Sequence, residues 1–118
     1  MNPTRAEAIA SLTTPGMPYA LEQGFINNRP CRFFMHAPRT LGQLFADNVS
    51  DKTFLVYENE RLSFSEVHDQ AMRLANVLAR EFGVEHGDRV AISMRNYPEW
   101  VISFMAVTAM GGVAVCMN

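Results

Sequence analysis

The sequence predicts a mixed α/β fold that contains a βαβ unit with parallel strands. Three observations near the end of the chain lead to this prediction. The run RVAISM, from about Arg89 to Met94, is short, apolar and β-branched, as expected of a strand. A helical segment follows from about Tyr97 to Met110, and after Gly111-Gly112 comes a second β-prone run, VAVCM. A strand, a crossover helix and a second strand imply parallel strands with a right-handed connection.

Residues 1–50 are predicted to form a loop-rich N-terminal lead-in with short helices. Thr4 and Glu7 have the spacing of a capping box and begin the first helix, which Pro15-Gly16 should end. Four prolines then follow in PGMPYALEQGFINNRPCRFFMHAPRT without any sustained period. Thr40 is the expected cap of a second short helix, whose apolar face carries Leu41, Leu44 and Phe45.

Residues 51–118 are predicted to begin a larger domain that they do not complete. Phe54–Tyr57 is an apolar run with high strand propensity, and Arg61–Ser63 is its expected partner across the polar turn ENE. The two runs predict a β-hairpin, although the turn has no glycine.

The strongest helix signal in the chain begins at Ser63. Ser63 and Glu66 have capping-box spacing, in which each side chain accepts a hydrogen bond from a free backbone N–H. One apolar stripe follows at steps of three and four, and Gly83 is placed to end the helix in a left-handed conformation. The stripe consists of Val67, Ala71, Leu74, Leu78 and Phe82.

The last part of the chain is long and apolar enough to raise the question of a membrane anchor. Residues 100–117 form a run of eighteen residues without a charged side chain, which is the usual threshold for a membrane span. Gly111-Gly112 divides the run, however, and Asn96 with Glu99 and Pro98 predicts the start of a capped helix just before it. The pattern therefore favours a buried crossover over a tail anchor at residues 100–117.

Composition excludes several classes of function. The formal net charge is −2 and the arginines are scattered, so nothing favours a nucleic-acid partner. Cys31 and Cys116 are far apart and match no disulfide framework, which predicts two reduced thiols in a cytoplasmic protein. The first sixteen residues lack the apolar core of a secretory signal.

No residue is assigned to a catalytic, cofactor-binding or metal site. The three histidines and two cysteines have no metal-ligand spacing, and the glycines form no phosphate-binding loop. Asp88 in the GDRV turn is expected to serve turn geometry, and Trp100 with Phe104 to serve core packing. The remaining candidates have a structural interpretation too: His36, His68, His86, Ser63, Ser65, Ser93, Gly111 and Gly112.

Residues 52–118 resemble the N-terminal region of the AMP-binding, adenylate-forming enzymes, a superfamily that includes acyl-CoA synthetases and peptide-synthetase adenylation domains. The resemblance rests on an ordered set of motifs rather than on any one of them. These are the helix start at Ser63–Glu66, ANVLA at 75–79, GVEHGDRVAI at 83–92, NYPEW at 96–100 and GGVAVCMN at 111–118. NYPEW and the terminal Asn118 are more similar to acyl-CoA synthetases than to peptide-synthetase domains.

The resemblance implies an N-terminal fragment of an ATP-dependent carboxylic acid–CoA ligase, with ATP, Mg²⁺ and CoA as cofactors of the full-length enzyme. None of the family's phosphate-binding, ribose-binding or catalytic motifs is present, and Lys52 matches no functional position. The fragment itself is therefore expected to be inactive and to bind no cofactor. A small non-catalytic interaction module and a tail-anchored protein remain as alternatives. A sheet that stops at VAVCM is also expected to leave an unpaired, aggregation-prone edge.

Overall fold

The computed structural model describes residues 2–117, which divide into two compact units, one up to Pro38 and one from Arg39 onwards. The first unit contains α1 (Arg5–Leu12), β1 (Leu21–Ile26) and β2 (Arg29–Phe34). The second contains four strands and three helices: α2 (Leu41–Asp47), β3 (Thr53–Tyr57), β4 (Glu60–Ser63), α3 (Phe64–Phe82), β5 (Arg89–Ser93), α4 (Pro98–Ala109) and β6 (Val113–Met117).

The first unit is a capped helix followed by a hairpin that the sequence prediction missed. Thr4 and Glu7 form the predicted capping box, but α1 already ends at Leu12, before Pro15-Gly16. Strands β1 and β2 pair antiparallel around the two-residue loop Asn27-Asn28. Both asparagines have positive φ, 49° and 61°, as the tightest hairpin turns require. Asn-Asn is a weaker signal than Asn-Gly, which is why the segment was expected to be a loop.

Strands β3 and β4 form the predicted hairpin in the second unit. Tyr57 pairs with Glu60 across the turn, and Glu58 takes a left-handed conformation with φ of 49°. This positive φ replaces the glycine that the turn lacks. The register shifts between Thr53 and Leu55, where the strand carries an irregularity.

Helix α3 confirms the strongest prediction from the sequence. Ser63 is the N-cap, its hydroxyl accepts from the Glu66 backbone N–H at 3.1 Å, and the Glu66 carboxylate accepts from the Ser63 N–H at 2.8 Å. Gly83 ends the helix in the left-handed conformation with φ of 65°. Local capping chemistry therefore fixes both ends of the helix.

The predicted N-cap of α4 is wrong. Tyr97, not Asn96, is the N-cap residue, with φ of −101° and ψ of 165°, and no side chain caps the helix. The reason is Pro98, whose ring excludes the helical conformation for the residue before it. Tyr97 is therefore forced into the extended conformation of a cap, and Asn96 lies one position too early.

The core of the second unit lies between α3 and α4. Its buried centre is formed by Val67, Ala71, Ile102, Met105 and Ala106. The two alanines are fully buried at this contact. Small side chains at these positions allow the two helices to pack closely. Helix α2 also contacts α4, so residues 41–47 belong to the second compact unit. The predicted division between residues 50 and 51 stays a prediction.

The predicted βαβ unit is confirmed. Strands β5 and β6 pair in parallel with continuous register from Arg89↔Val113 to Ser93↔Met117, and α4 connects them. Gly111 turns the chain with φ of 87° just before β6. Asn118, the last residue of the predicted motif, lies outside the described residues. Among residues 2–117, no helix combines the length and apolar character that crossing a bilayer requires.

Candidate functional site

The turn between β5 and α4 carries the NYPEW motif and is the best-defined surface feature of the second unit. Pro98 is buried at the first position of the helix, where its missing N–H costs nothing. Tyr97 is 42% exposed immediately before it. The motif therefore fixes the direction of α4 and leaves one aromatic side chain at the surface.

Tyr97 meets Tyr57 from strand β3. The two rings lie edge to face with centroids 5.3 Å apart and planes at 71°. Partial burial, followed by the Tyr97 hydroxyl and the Glu99 carboxylate, raises the pKa of Tyr57 above its ordinary value of 10.0. The Tyr57 phenol is thus neutral at physiological pH, and its hydroxyl is able to donate and to accept a hydrogen bond. The sequence offers no signal for this pair, because the two residues are forty positions apart.

A cleft of about 230 Å³ lies beside the tyrosine pair. Its walls come from β3 and from the first turn of α4: Leu55, Val56, Tyr57, Asn96, Tyr97, Pro98, Trp100 and Val101. Trp100 stacks on Phe104 with centroids 5.6 Å apart, so its ring is held by the helix itself. The lining is apolar and aromatic, with two phenol hydroxyls, one side-chain amide and one indole N–H, and contains no nucleophile paired with a base.

The histidines singled out in the sequence do not come together in one site. His36 follows β2, and His68 lies half-buried on α3. His86 is exposed in the turn before β5, and its ring lies against Gly111. Asp88 accepts a hydrogen bond from the Glu85 backbone N–H at 2.8 Å, which is the turn role expected of it.

The serines and glycines of the motifs also have structural positions. Ser63 caps α3, and Ser65 lies at the same helix start, 3.5 Å from Asp51. Gly111 and Gly112 form the turn into β6, where the Gly111 carbonyl accepts from the Gly87 N–H at 2.9 Å. The thiols of Cys31 and Cys116 are free.

The side chains able to bind a metal ion or a phosphate are scattered over the described residues. No three His, Cys, Asp or Glu side chains of residues 2–117 lie within reach of one metal ion. Lys52, the one lysine of the sequence, is exposed in the loop before β3. The assignment of no catalytic, cofactor-binding or metal residue to this chain stays a prediction.

The model of one protein family, described as AMP-binding enzyme, matches residues 43–118. The chain belongs to the AMP-binding enzyme family. The match covers all of the second unit except its first four residues. The α/β fold is that of the N-terminal part of the family's large domain, as the sequence predicted.

Curated family members of two kinds resemble the chain. The long-chain-fatty-acid–CoA ligase of Bacillus subtilis is 34% identical over 83 residues, which cover 68% of this chain and 15% of the ligase. Tyrocidine synthase 2 of Brevibacillus parabrevis is 39% identical over 79 residues, covering 64% of this chain and 2% of the synthase. The chain thus spans a small part of the length of either relative.

The fold agrees with that of solved family members. The O-succinylbenzoate coenzyme A synthetase of B. subtilis superposes with a TM-score of 0.60 at 29% identity. The superposition covers 67% of this chain and 17% of the synthetase. The family motifs in this chain contain the residues that cap α3, turn into β5, start α4 and turn into β6, and ANVLA lies within α3. These residues have scaffold positions.

Proposed function

We propose that this chain is the N-terminal part of an ATP-dependent carboxylic acid–CoA ligase, and that residues 51–118 begin its AMP-binding large domain. The single observation that supports this most is the family match over residues 43–118, where the ordered motifs coincide with the caps and turns of the fold. The cytoplasm, where thiols stay reduced, is the compartment in which we place the enzyme.

A CoA ligase is favoured over a peptide synthetase by the turn before α4. The sequence NYPEW at residues 96–100 is more similar to the acyl-CoA synthetases of the family. In the structure this turn puts Tyr97 and Trp100 on the wall of one cleft. Both kinds of enzyme activate a carboxylate as an adenylate, so the proposal differs between them only in the thiol that accepts the acyl group.

The proposed reaction has two steps. A substrate carboxylate oxygen attacks the α-phosphorus of ATP, which forms an acyl-adenylate and releases pyrophosphate. The CoA thiolate then attacks the acyl carbon, which forms the thioester and releases AMP. The family's phosphate-binding and catalytic motifs are not among these residues, so we assign them a scaffold role: α3 packs against α4, the crossover helix of the βαβ unit, on which further parts of the enzyme build.

A chimeric enzyme tests the proposal directly. Residues 43–118 replace the aligned segment of the B. subtilis long-chain-fatty-acid–CoA ligase, and formation of acyl-CoA from a fatty acid, ATP and CoA is measured. We expect the chimera to retain activity, because the segment supplies the same scaffold. A folded chimera without any activity would contradict the proposal.

Matched variants of the chimera separate folding from chemistry. Ile102 is 8% exposed in the core, so Ile102→Asp should abolish activity by preventing the fold. Val77 is 45% exposed on α3, so Val77→Asp should leave activity close to that of the parent chimera. Equal loss in both variants would show that the segment does more than support the fold.

The isolated chain is expected to be inactive in carboxylate-dependent ATP–pyrophosphate exchange. The physical reason is that the described residues provide neither a phosphate-binding loop nor a metal cluster. Exchange above background by the purified 118-residue chain would overturn this part of the proposal. The activity of the chimera would still show whether residues 43–118 can replace the corresponding segment of a CoA ligase, whatever the isolated chain does.

A further inference from the structure

The cleft beside the tyrosine pair brings three aromatic side chains around a space of about 230 Å³. Tyr57 belongs to β3, whereas Tyr97 and Trp100 belong to the start of α4. We call these three side chains the aromatic corner. Both walls of the cleft lie inside the second unit. Sites for drug-sized ligands measure about 300–1,000 Å³, so this cleft suits a smaller molecule.

The rings of the aromatic corner are held in place by contacts with other rings. Tyr57 and Tyr97 lie at 71° to each other, so their faces point in different directions. Trp100 lies almost parallel to Phe104, with planes at 6°. The face of an aromatic ring carries partial negative charge and attracts a cation within about 6 Å of its centroid. A corner of fixed aromatic rings is therefore suited to a positively charged group.

The charged groups around the cleft also favour a cation. The eight residues that line it, all within the described part of the chain, include no lysine, arginine or histidine. Glu99 lies in the first turn of α4, and its carboxylate is one of the groups that raise the pKa of Tyr57. A negative charge thus acts on one ring of the aromatic corner, where it would complement a bound cation.

The arginines that flank the cleft in sequence have other contacts. The Arg61 guanidinium donates to the backbone carbonyls of Glu58 and Glu60, at 3.2 and 3.1 Å. Arg95 lines a different cleft. The carboxylates of Glu58 and Glu60 add negative charge beside Tyr57, because Glu58 follows it and Glu60 pairs with it across the hairpin. A ligand that carries a phosphate next to its cation would therefore be disfavoured.

The remaining lining selects a cation without N–H groups. Leu55, Pro98 and Val101 contribute apolar surface to the cleft. A primary ammonium has three N–H donors, and a donor buried against such a surface without an acceptor is costly. A quaternary ammonium has only alkyl groups around its nitrogen, so its methyl groups pack on apolar side chains and its charge acts on the aromatic faces.

We propose that the aromatic corner binds the cationic group of a free, small quaternary ammonium compound, with Glu99 as the neighbouring negative charge. The cation lies against the rings of Tyr57, Tyr97 and Trp100, and the apolar lining contacts its methyl groups. Binding at this cleft does not require the proposed ligase activity.

The first test is a titration of the purified chain with choline chloride, followed by the fluorescence of Trp100, the one tryptophan of the sequence. Sodium chloride at equal concentration controls for ionic strength. The neutral carbon analogue of choline, in which a carbon atom replaces the nitrogen, has the same shape without the charge. We expect saturable binding of choline that is at least about tenfold tighter than binding of the analogue. Equal affinities would overturn the proposal.

Three variants locate the binding. Tyr97→Leu removes one ring and should weaken choline binding by about fivefold or more, and Glu99→Gln, which removes the charge, by about threefold or more. Tyr19 is 54% exposed in the first unit, so Tyr19→Leu is the matched control that should bind as the parent chain does. Urea midpoints of the variants show whether the fold is retained. Folded Tyr97→Leu and Glu99→Gln proteins with the affinity of the parent would contradict the proposed site.

The ring of Tyr57 is distinguished from its hydroxyl by two substitutions. Tyr57→Phe keeps an aromatic face, so it should lose less affinity for choline than Tyr57→Leu does. Equal losses would mean that the hydroxyl, rather than the ring, binds the ligand, and would exclude the aromatic corner as a cation site.

A lipid head group is the other source of the same cation. Phosphatidylcholine vesicles carry it beside a phosphate, so we expect no change in Trp100 fluorescence when they replace choline. A response to vesicles without a response to free choline would overturn the assignment of a free compound.

The chimeric ligase tests the cleft within a complete enzyme. Calorimetry should give a dissociation constant for choline within about threefold of that of the isolated chain, and Tyr97→Leu in the chimera should weaken it. A folded, active chimera that does not bind choline would show that other parts of the enzyme fill the cleft, and would overturn the proposal.

Discussion

At the scale of single residues, the fold depends on a few backbone positions that the family motifs encode. Gly111 has φ of 87°, and a Cβ there would meet the ring of His86. Gly83 also has positive φ, 65°, but nothing lies within 4 Å of the Cβ position. A side chain at Gly83 would therefore add only backbone strain, whereas a side chain at Gly111 would add backbone strain and a steric contact with His86.

Replacing Gly111 with alanine should destabilise the chain more than the same change at Gly83. A left-handed conformation costs a non-glycine residue roughly 1–2 kcal/mol, and Gly111→Ala adds the contact with His86. Urea unfolding, followed by the fluorescence of Trp100, the one tryptophan of the sequence, measures both changes. His86→Ala in the Gly111→Ala background should recover the difference; equal costs at the two glycines would contradict this reading.

The capping box of α3 should make stability depend on pH. Hydrogen bonds from the Ser63 backbone and hydroxyl lower the pKa of Glu66 from its ordinary value of 4.5. A carboxyl with a lowered folded-state pKa contributes stability that is fully present above the unfolded value and is lost as pH falls through the folded value. Glu66→Gln should thus lower stability at neutral pH, with the difference vanishing in acid.

The measurement is the urea midpoint of both proteins from neutral pH down to the acid range. Ser63→Ala should cost about 1 kcal/mol at neutral pH, as loss of an N-cap does. Ser63→Ala should also make the pH dependence of the urea midpoint more like that of Glu66→Gln, because the hydrogen bond from the Ser63 hydroxyl to the Glu66 carboxylate is lost. A midpoint difference between wild type and Glu66→Gln that is independent of pH would exclude the carboxylate charge as its source.

At the scale of elements, packing of α3 against α4 organises the second unit. Val67 and Ala71 on α3 contact Ile102, Met105 and Ala106 on α4 in one buried cluster. Helix α4 also contacts both strands of the parallel sheet and α2. Burial from several sides therefore explains the apolar composition of α4, which forms the first part of the uncharged run at residues 100–117.

Truncating Met105 should show how much this contact contributes. Met105 is 6% exposed, and Met105→Ala should destabilise the chain by about 2–5 kcal/mol through lost burial and the cavity left behind. Met35, at 46% exposed, is the matched control, with an expected change within about 0.5 kcal/mol. Equal unfolding midpoints for the two variants would mean that the α3–α4 contact is not the core of the fold.

At the scale of the whole molecule, the family match and the second compact unit coincide. The second unit begins at Arg39, the match begins at residue 43, and the buried cluster between α3 and α4 lies entirely within both. The first unit contains α1, which its capping box predicted, and the β1–β2 hairpin, which no regular pattern predicted. Each unit has its own contacts, so each is expected to respond separately to deletion.

Residues 39–118 should fold without residues 1–38. The physical reason is that the buried residues of the α3–α4 cluster and the apolar side chains given as packed against them all lie between Phe45 and Ala106. Urea unfolding followed by Trp100 fluorescence should give one cooperative transition with an unchanged midpoint in the shortened protein. A broad, non-cooperative transition would show that the second unit depends on the first for its stability.

Prediction from sequence succeeded where local chemistry decides structure. Ser63, Glu66 and Gly83 fix the ends of α3 through their own backbone hydrogen bonds, so their spacing suffices to locate the helix. It was wrong at Asn96, where the constraint of Pro98 on Tyr97 outweighs the capping preference of asparagine. The prediction missed the Asn27-Asn28 turn, because Asn-Asn predicts a two-residue hairpin turn less strongly than Asn-Gly does.

The sequence by itself determined the caps of α3, which are contacts between near neighbours, and the order of strand, helix and strand in the βαβ unit, because each element has its own local pattern. It also determined the resemblance to adenylate-forming enzymes, which rests on the order of its motifs. Only the tertiary structure decided that Tyr57 meets Tyr97 and that the ring of His86 lies against Gly111. Those features join residues that are distant in the chain. Their positions follow from how helices and strands pack, and a pattern read along one sequence does not contain that information.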